Sequence, residues 1–274
     1  MSESPIRIEK DKHIATVTLS QPEKMNAMDK SFFTAIKQAF ESLDEDSSVR
    51  VIVLAAEGKH FSAGLDLKDT ANILGGMEGD PARVRARLRH KILWLQSCFS
   101  ALEACRQPII AAIHGACVGA GVDLVAAADI RLASDDAWFS IKEVDIGIVA
   151  DVGTLQRCTH LIPGGILREL ALTGRKYTTP EALNHGFVNH SYANKDALIE
   201  AAQSLAAEIA AKSPLAVVGT KHIINHARDH TVHDGLDYVA SWNAGHLIGE
   251  DLMKAATASL TKKTAVFDDL LDDE

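Results

Sequence analysis

The chain has no apolar run approaching the ~18 residues that a bilayer-spanning helix needs, so no segment reads as a span and no membrane partner is expected. It also lacks an excess of positive charge: 28 Lys and Arg stand against 37 Asp and Glu, a formal charge of −9. Nucleic-acid binding, which needs a basic patch or stripe, is therefore not expected. Four cysteines, Cys98, Cys105, Cys117 and Cys158, show no CxxC or other zinc-like spacing. They read as reduced, structural thiols in a reducing compartment. Twelve histidines include no H-E-x-x-H pattern, and scattered histidines are usually surface or core residues, so no metal is expected. The first residues, MSESPIRIEKDKH, carry neither an apolar signal core nor an Arg-rich amphipathic pattern, and DDLLDDE at the end is not a peroxisomal tripeptide. A soluble, cytoplasmic protein is the expectation. Internal repeats and low-complexity linkers are missing too.

What is present is a large core and a sharp alternation of patterns. At 274 residues and 47% hydrophobic content, one large domain or one domain with an appended subdomain is expected. Ile6–Ile8 and Ile14–Leu19, separated by charged residues, predict a hairpin. Phe32, Phe33, Ile36, Phe40 and Leu43 recur at helical spacing behind Asp29, a candidate N-cap. Val51–Ala56 and Pro108–Ile113 are continuous apolar runs short enough to be strands buried on both faces. Between them, residues 70–82 read as an irregular crossing and 82–105 as one long helix with a basic face, Arg83, Arg85, Arg87, Arg89 and Lys91. A glycine-rich segment, Gly115–Gly121, precedes a helix over 122–128, and two further strands follow at 130–133 and 138–141. Beyond residue 151 helices are expected at 161–172, 180–184, 195–212, 214–227 and 234–259.

The segment from Pro108 to Asp151 places Asp123, Glu143 and Asp151 among apolar neighbours. Carboxylates are almost never fully buried unless paired, so these three stand on a wet edge or line a site. Gly119-Ala-Gly121 lacks the third glycine of a dinucleotide fingerprint, Leu124 standing in its place.

Five ordered segments, PEKMNAM (22–28), HFSAGLDL (60–67), PIIAAIHGACVGAGVDL (108–124), KEVDIGIVADVGTLQR (142–157) and SPLAVVGTK (213–221), together resemble the crotonase (enoyl-CoA hydratase/isomerase) family over essentially the whole chain. The trio Asp123, Glu143 and Asp151 is similar to that of its dienoyl-CoA isomerases. The resemblance implies an α/β, crotonase-like fold of repeated ββα units, with a core and active site in residues 1–190. A helical C-terminal region, residues 191–274, would serve trimerisation and pocket closure. It also implies a homo-oligomer, trimer or dimer of trimers, acting on acyl-CoA, with no cofactor beyond the coenzyme A that the substrate carries.

By the same resemblance, the backbone N–H groups of Leu65 and Ala120 form an oxyanion hole for a thioester enolate, where paired donors need no rearrangement to stabilise charge. Many relatives carry Gly at the place of Ala120, whose methyl restricts the local backbone. Glu143 is expected at the near carbon, C2, and Asp151 at the far one, C6, as base and acid for shifting a 3,5-diene to a 2,4-diene. Asp123, one methylene shorter than the second glutamate of hydratases, is expected to support them, and Asp145 to be structural. Coenzyme A would lie against Lys24, Ala27, Ala63 and Asp66, with the pocket wall drawn from residues 68–99. Two alternatives stay open: an enoyl-CoA hydratase using Asp123 and Glu143, and a non-catalytic or RNA-binding homologue, against which the acidic charge counts.

Overall fold

The computed structural model describes residues 4–69, 72–73 and 78–271. Strands β1 (Ile6–Asp11) and β2 (Ile14–Leu19) form the expected antiparallel hairpin. Helix α1 (Lys30–Glu45) starts where Asp29 accepts a hydrogen bond from Phe32 N at 2.9 Å, and its five spaced apolar residues are all buried. Strand β3 (Val51–Ala56) is buried throughout, and helix α2 (Pro81–Ala104) lies against α1 through Phe33 and Phe99, ring centroids 5.4 Å apart. Of the crossing expected at 70–82, residues 70–71 and 74–77 lie outside the described residues.

Strand β4 (Ile109–Ile113) and strand β5 (Ala116–Val118) lead into helix α3 (Ala120–Ala126), and β6 (Ile130–Ser134) and β7 (Trp138–Ser140) lead towards helix α4 (Thr154–Arg157). The strand-strand-helix unit thus recurs, as a ββα fold requires. The second half holds α5 (Gly164–Thr173), β8 (Tyr177–Thr178), α6 (Thr179–Asn184), β9 (His190–Tyr192) and α7 (Lys195–Ala210). Helices α8 (Pro214–Asp229), α9 (Val232–His246) and α10 (Glu250–Thr261) complete the chain.

The main sheet has the order β1-β2-β3-β4-β6-β9 and is parallel apart from the opening hairpin; a second sheet is ordered β5-β7-β8. Successive side chains of a strand face opposite ways, and the core divides accordingly. Ile52, Leu54, Ile109, Ala111 and Ile113 join the cluster that includes the α1 and α2 residues, while Val51, Val53, Ile110 and Ala112 face Leu198, Ala202, Ala206 and Ala210 of α7. Helices on both faces explain why β3 and β4 read as unbroken apolar runs. All four cysteines are buried and unpaired with one another.

Two expectations change. The helix expected over 234–259 is two helices, α9 and α10, interrupted at 247–249. Gly249, with its low helix propensity, caps the second in extended conformation, and Ser213 at the head of α8 donates to Asp251 Oδ2 at 2.5 Å, tying the first turn of α10 back. Strands β5, β8 and β9 also escape the sequence patterns, being two or three residues long and defined by partners far along the chain.

Candidate active site

Three loops meet edge to edge, and one buried side chain organises them. Asn26 adopts a left-handed φ of 51°, a conformation Asn tolerates better than most residues. Its amide donates to Glu57 O at 3.0 Å and His60 O at 3.1 Å, and its carbonyl accepts from Gln21 N at 2.9 Å. Ser62 Oγ donates to Asn26 O at 2.8 Å and accepts from Gly64 N at 3.0 Å. Backbone bonds continue the seam: Ala63 N to Met25 O (2.9 Å), Met28 N to Gly64 O (2.8 Å), Asp66 N to Met28 O (3.0 Å) and Val118 N to Ser62 O (3.0 Å). Lys24, Ala27, Ala63, Leu65 and Asp66 are thereby brought onto one ridge beside the glycine segment.

Gly64 is the close-packed point of that seam. Its φ is +86°, and a Cβ there would stand 2.5 Å from Val118 O and 3.4 Å from Ala120 N. The residue before Leu65 therefore touches the strand-to-helix turn that carries Ala120. Among the described residues, neither the Leu65 nor the Ala120 N–H donates to an acceptor. Lys24 is half-exposed, 3.8 Å from the Asp29 carboxylate, and the Asp66 carboxylate closes a local turn by accepting from Lys68 N at 2.9 Å.

The three carboxylates converge from separate elements. Asp123, on α3, is 1% exposed, and its carboxylate accepts from Thr154 N, the first residue of α4, at 2.6 Å. Burial raises it to about 6, a shift that the Thr154 bonds and the Arg157 charge moderate and the Asp151 charge adds to. Glu143 opens the short turn Glu143–Ile146; its Oε1 lies 3.2 Å from where a Gly119 Cβ would sit, so its carboxyl packs against the glycine preceding Ala120. Its Oε2 is buried without a hydrogen-bond partner. Burial first, then the charges of Asp123 and Asp151, raises Glu143 to about 7. Asp151 is also raised, by burial. Asp145 lies outside this group: it pairs with Lys142 and packs against Gly174. Carboxylates raised by burial and close enough to feel one another's charge are the environment in which one group can take a proton while another gives one.

Between Glu143 and Asp151, eight residues apart, the chain exposes the apolar side chains of Val144, Ile146, Ile148 and Val149. A cavity of about 320 Å³ reaches Asp151 and is lined by Gln96, Ser100, Gly153, Gln156 and Arg157 among others. A larger one of about 830 Å³, between α8 and the corner joining α3 to β6, touches none of the three carboxylates. Its size does not make it the site.

Sequence reasoning misses Asn26, Gly64, Gly119, Gln96 and Thr154, which act through chain-distant contacts; only the Asn within a run of turn residues offered a signal. The histidines need a correction as well. His222 and His226 on α8 and His230 just past its end recur every fourth residue, with His226 stacked on His230 at 3.7 Å and on Tyr238 of α9 at 4.0 Å. They pack as aromatic rings, and among the described residues no three potential ligands gather to hold a metal.

The family description "Enoyl-CoA hydratase/isomerase" matches residues 9–269. The chain is 44% identical over 254 residues (92% of its length, 78% of the relative's) to "Delta(3,5)-Delta(2,4)-dienoyl-CoA isomerase, mitochondrial" of Rattus norvegicus. It is 43% identical over 264 residues (96% and 95%) to the protein of that name, peroxisomal, of Arabidopsis thaliana. Among solved structures, an enoyl-CoA hydratase from Bacillus anthracis superposes with a TM-score of 0.87 at 27% identity, covering 96% of this chain and 98% of that one. The relatives' names correct the expected cytoplasmic location, since they place those proteins in mitochondria and peroxisomes. That expectation rested on the lack of a leader pattern, and a folded core has the same composition and charge whichever compartment it works in. By its family match and its identity to named relatives along nearly all of its length, the chain is an enzyme of the enoyl-CoA hydratase/isomerase family.

Proposed function

We propose that this enzyme moves the double bonds of 3,5-dienoyl-CoA thioesters to the 2,4 positions. Ionised Glu143 takes the proton from C2, and the electron pair of that C–H bond enters a dienolate spread from the thioester oxygen to C6. The Leu65 and Ala120 N–H groups, unpaired in the fold, donate to the oxygen; removing one such donor typically costs about 10²–10³ in rate. Protonated Asp151 delivers its proton to C6, forming the new C–H bond and leaving double bonds at C2 and C4. Asp123 keeps the site's polarity and holds Glu143 in its raised range. The observation that carries the reading is the third carboxylate: Asp151 is separated from Glu143 by exposed apolar side chains, against which an acyl chain would run.

Lys24, Ala27, Ala63 and Asp66 would receive the coenzyme A portion, which the substrate brings, and no separate cofactor belongs to this reading. The apolar residues exposed on α9, on α10 and at the break between them, including Leu236, Met253 and Ile248, support a homo-oligomer, a trimer or a dimer of trimers. Breakdown of unsaturated fatty acyl chains is the setting such chemistry fits; a membrane or nucleic-acid partner has no part in it.

Hydration of a 2-enoyl-CoA by Asp123 and Glu143 is the second reading, favoured by their electrostatic contact. Incubation with a 3,5-dienoyl-CoA and a 2-enoyl-CoA in parallel separates them: conjugated-diene absorbance grows for an isomerase, and enoyl absorbance falls for a hydratase. Asp151→Asn should abolish isomerisation while CoA-ester binding persists; undiminished turnover sinks the assignment.

A further inference from the structure

Among the described residues no other side chain bonds the Asp151 carboxyl, which meets only its own backbone N–H, yet acid delivery at one carbon of a bound diene demands a fixed carboxyl. The backbone around it is held from behind. Gln96, on α2, donates through Nε2 to Asp151 O at 2.7 Å. Arg157, at the end of α4, donates through one terminal nitrogen to Val152 O at 3.3 Å. That guanidinium lies over Gly153, where a Cβ would fall 1.8 Å from the nitrogen and where φ is +135°, so only glycine admits it. The Arg157 side chain is 11% exposed and is fixed in turn by Glu103 Oε2 at 3.0 Å and Ser100 Oγ at 3.1 Å, both on α2. Arg228 of α8 holds the other oxygen of Glu103. The same four-residue segment ends at Thr154, whose N–H meets Asp123.

We propose that Gln96 and Arg157 are positioning residues that clamp segment 151–154 from its rear face and thereby set Asp151 at the far end of the diene; the proposal rests on the isomerase reading above. Both line the cavity that reaches Asp151, and each bonds a backbone carbonyl of this segment. Their effect falls chiefly on the second proton transfer, because Glu143 is carried by a different turn, packed on Gly119; the Arg157 charge also reaches Asp123, so the neutral Gln96 gives the cleaner separation. A displacement of about 1 Å at a catalytic group can cost on the order of 10² in rate, so a backbone clamp is worth building.

The clamp makes an uncommon prediction: the two half-reactions should come apart. In D2O, loss of the clamp leaves proton removal at C2 intact while delivery to C6 fails, so the dienolate returns to C2 carrying deuterium. For Arg157→Ala, isomerisation kcat should fall about 100-fold with KM changed less than about threefold, as a 1 Å displacement implies. Because the Arg157 charge also bears on Asp123 and through it on Glu143, exchange at C2 is followed by mass spectrometry well above pH 7, where Glu143 is ionised in both proteins; there it should stay within about threefold of wild type, and millimolar guanidinium should restore isomerisation at least about tenfold. Gln96→Leu, which removes one neutral bond and spares the buried ion pairs, should lower the isomerisation-to-exchange ratio by about tenfold and serves if the Arg variant does not fold. Parallel loss of exchange and isomerisation, or an unchanged ratio in Gln96→Leu, overturns the clamp. A wild-type enzyme that converts no 3,5-dienoyl-CoA sinks the functional reading instead, which the clamp variants cannot do.

Discussion

Asp123, Glu143 and Asp151 are each raised by burial, and each of the first two is raised further by the charge of a neighbouring carboxylate. Glu143 must be ionised to accept the C2 proton, so kcat/KM for isomerisation should fall as pH drops through about 7. Removing the Asp123 charge takes away the largest electrostatic cause after burial. Asp123→Asn should therefore move that acid limb to lower pH, which a pH-rate profile over the weakly acidic range measures. The same burial bears on stability. Asp123 is raised from 3.8 in the unfolded reference to about 6, so its contribution is complete below 3.8 and is lost as pH rises through about 6. Relative to Asp123→Asn, the wild-type protein should lose about 2 kcal/mol of unfolding free energy between pH 4 and pH 7, the share of the shift that falls in that window at 1.36 kcal/mol per pKa unit. Urea titrations of both proteins at the two pH values give the difference, and a constant difference would contradict it.

At the scale of elements, the site is a junction of loops held by glycines rather than a face of any helix or strand. Gly64 presses against Val118 O with φ +86°, and Gly119, at φ +51°, makes room for the Glu143 carboxyl. Gly64→Ala demands both a left-handed alanine and a retreat of the Val118 carbonyl. It should lower stability by about 1–3 kcal/mol. It should also lower isomerase turnover by roughly 10², as the Leu65 donor is displaced. Thermal melts and steady-state rates check the two effects; a folded variant with full turnover would show that the seam has slack. Ala120 tolerates its methyl because it begins α3 after the glycine turn, where ordinary helical backbone suffices.

Across the molecule, the C-terminal helices are tied to the catalytic core by charge as well as by apolar contact. Lys221 of α8 is buried, with Nζ 2.9 Å from Asp129 Oδ2 and donating to Gln107 O at 3.0 Å and Leu102 O at 3.3 Å, just where α2 gives way to β4. Removing the lysine leaves the Gln107 and Leu102 carbonyls without its donor, while Asp129, a quarter exposed, keeps its bond from Ile109 N at 2.8 Å, so Lys221→Met should cost about 1–3 kcal/mol in urea unfolding. Helix α7, by contrast, packs on the sheet mainly through alanine, leucine and isoleucine, with Lys195 donating to Ala56 O at 2.8 Å and Gln203 to Thr16 Oγ1 at 3.0 Å. Exposed Leu236, Ile248 and Met253 lie beyond these ties. Sedimentation should find a trimer or a multiple of it, and Leu236→Lys with Ile248→Lys should shift it towards monomer.

The sequence by itself determined the hairpin, α1, the buried strands β3 and β4, the long α2 and the loops that carry Leu65, Ala120 and the three acids. Those features are written in spacings of two, three and four residues, or in ordered motifs, and local pattern reads them. Tertiary structure alone decided that Asp123 meets Thr154 across 31 residues, that Asn26 locks two loops to a third, and that Gln96 and Arg157 stand behind Asp151. It also decided the short strands β5, β8 and β9 and the break before α10, none of which has a local period strong enough to show. A carboxylate's residue type is local, but its burial and its neighbours are not. The proton-holding range of Glu143 therefore became readable only when the chain had brought Gly119, Asp123 and Asp151 around it.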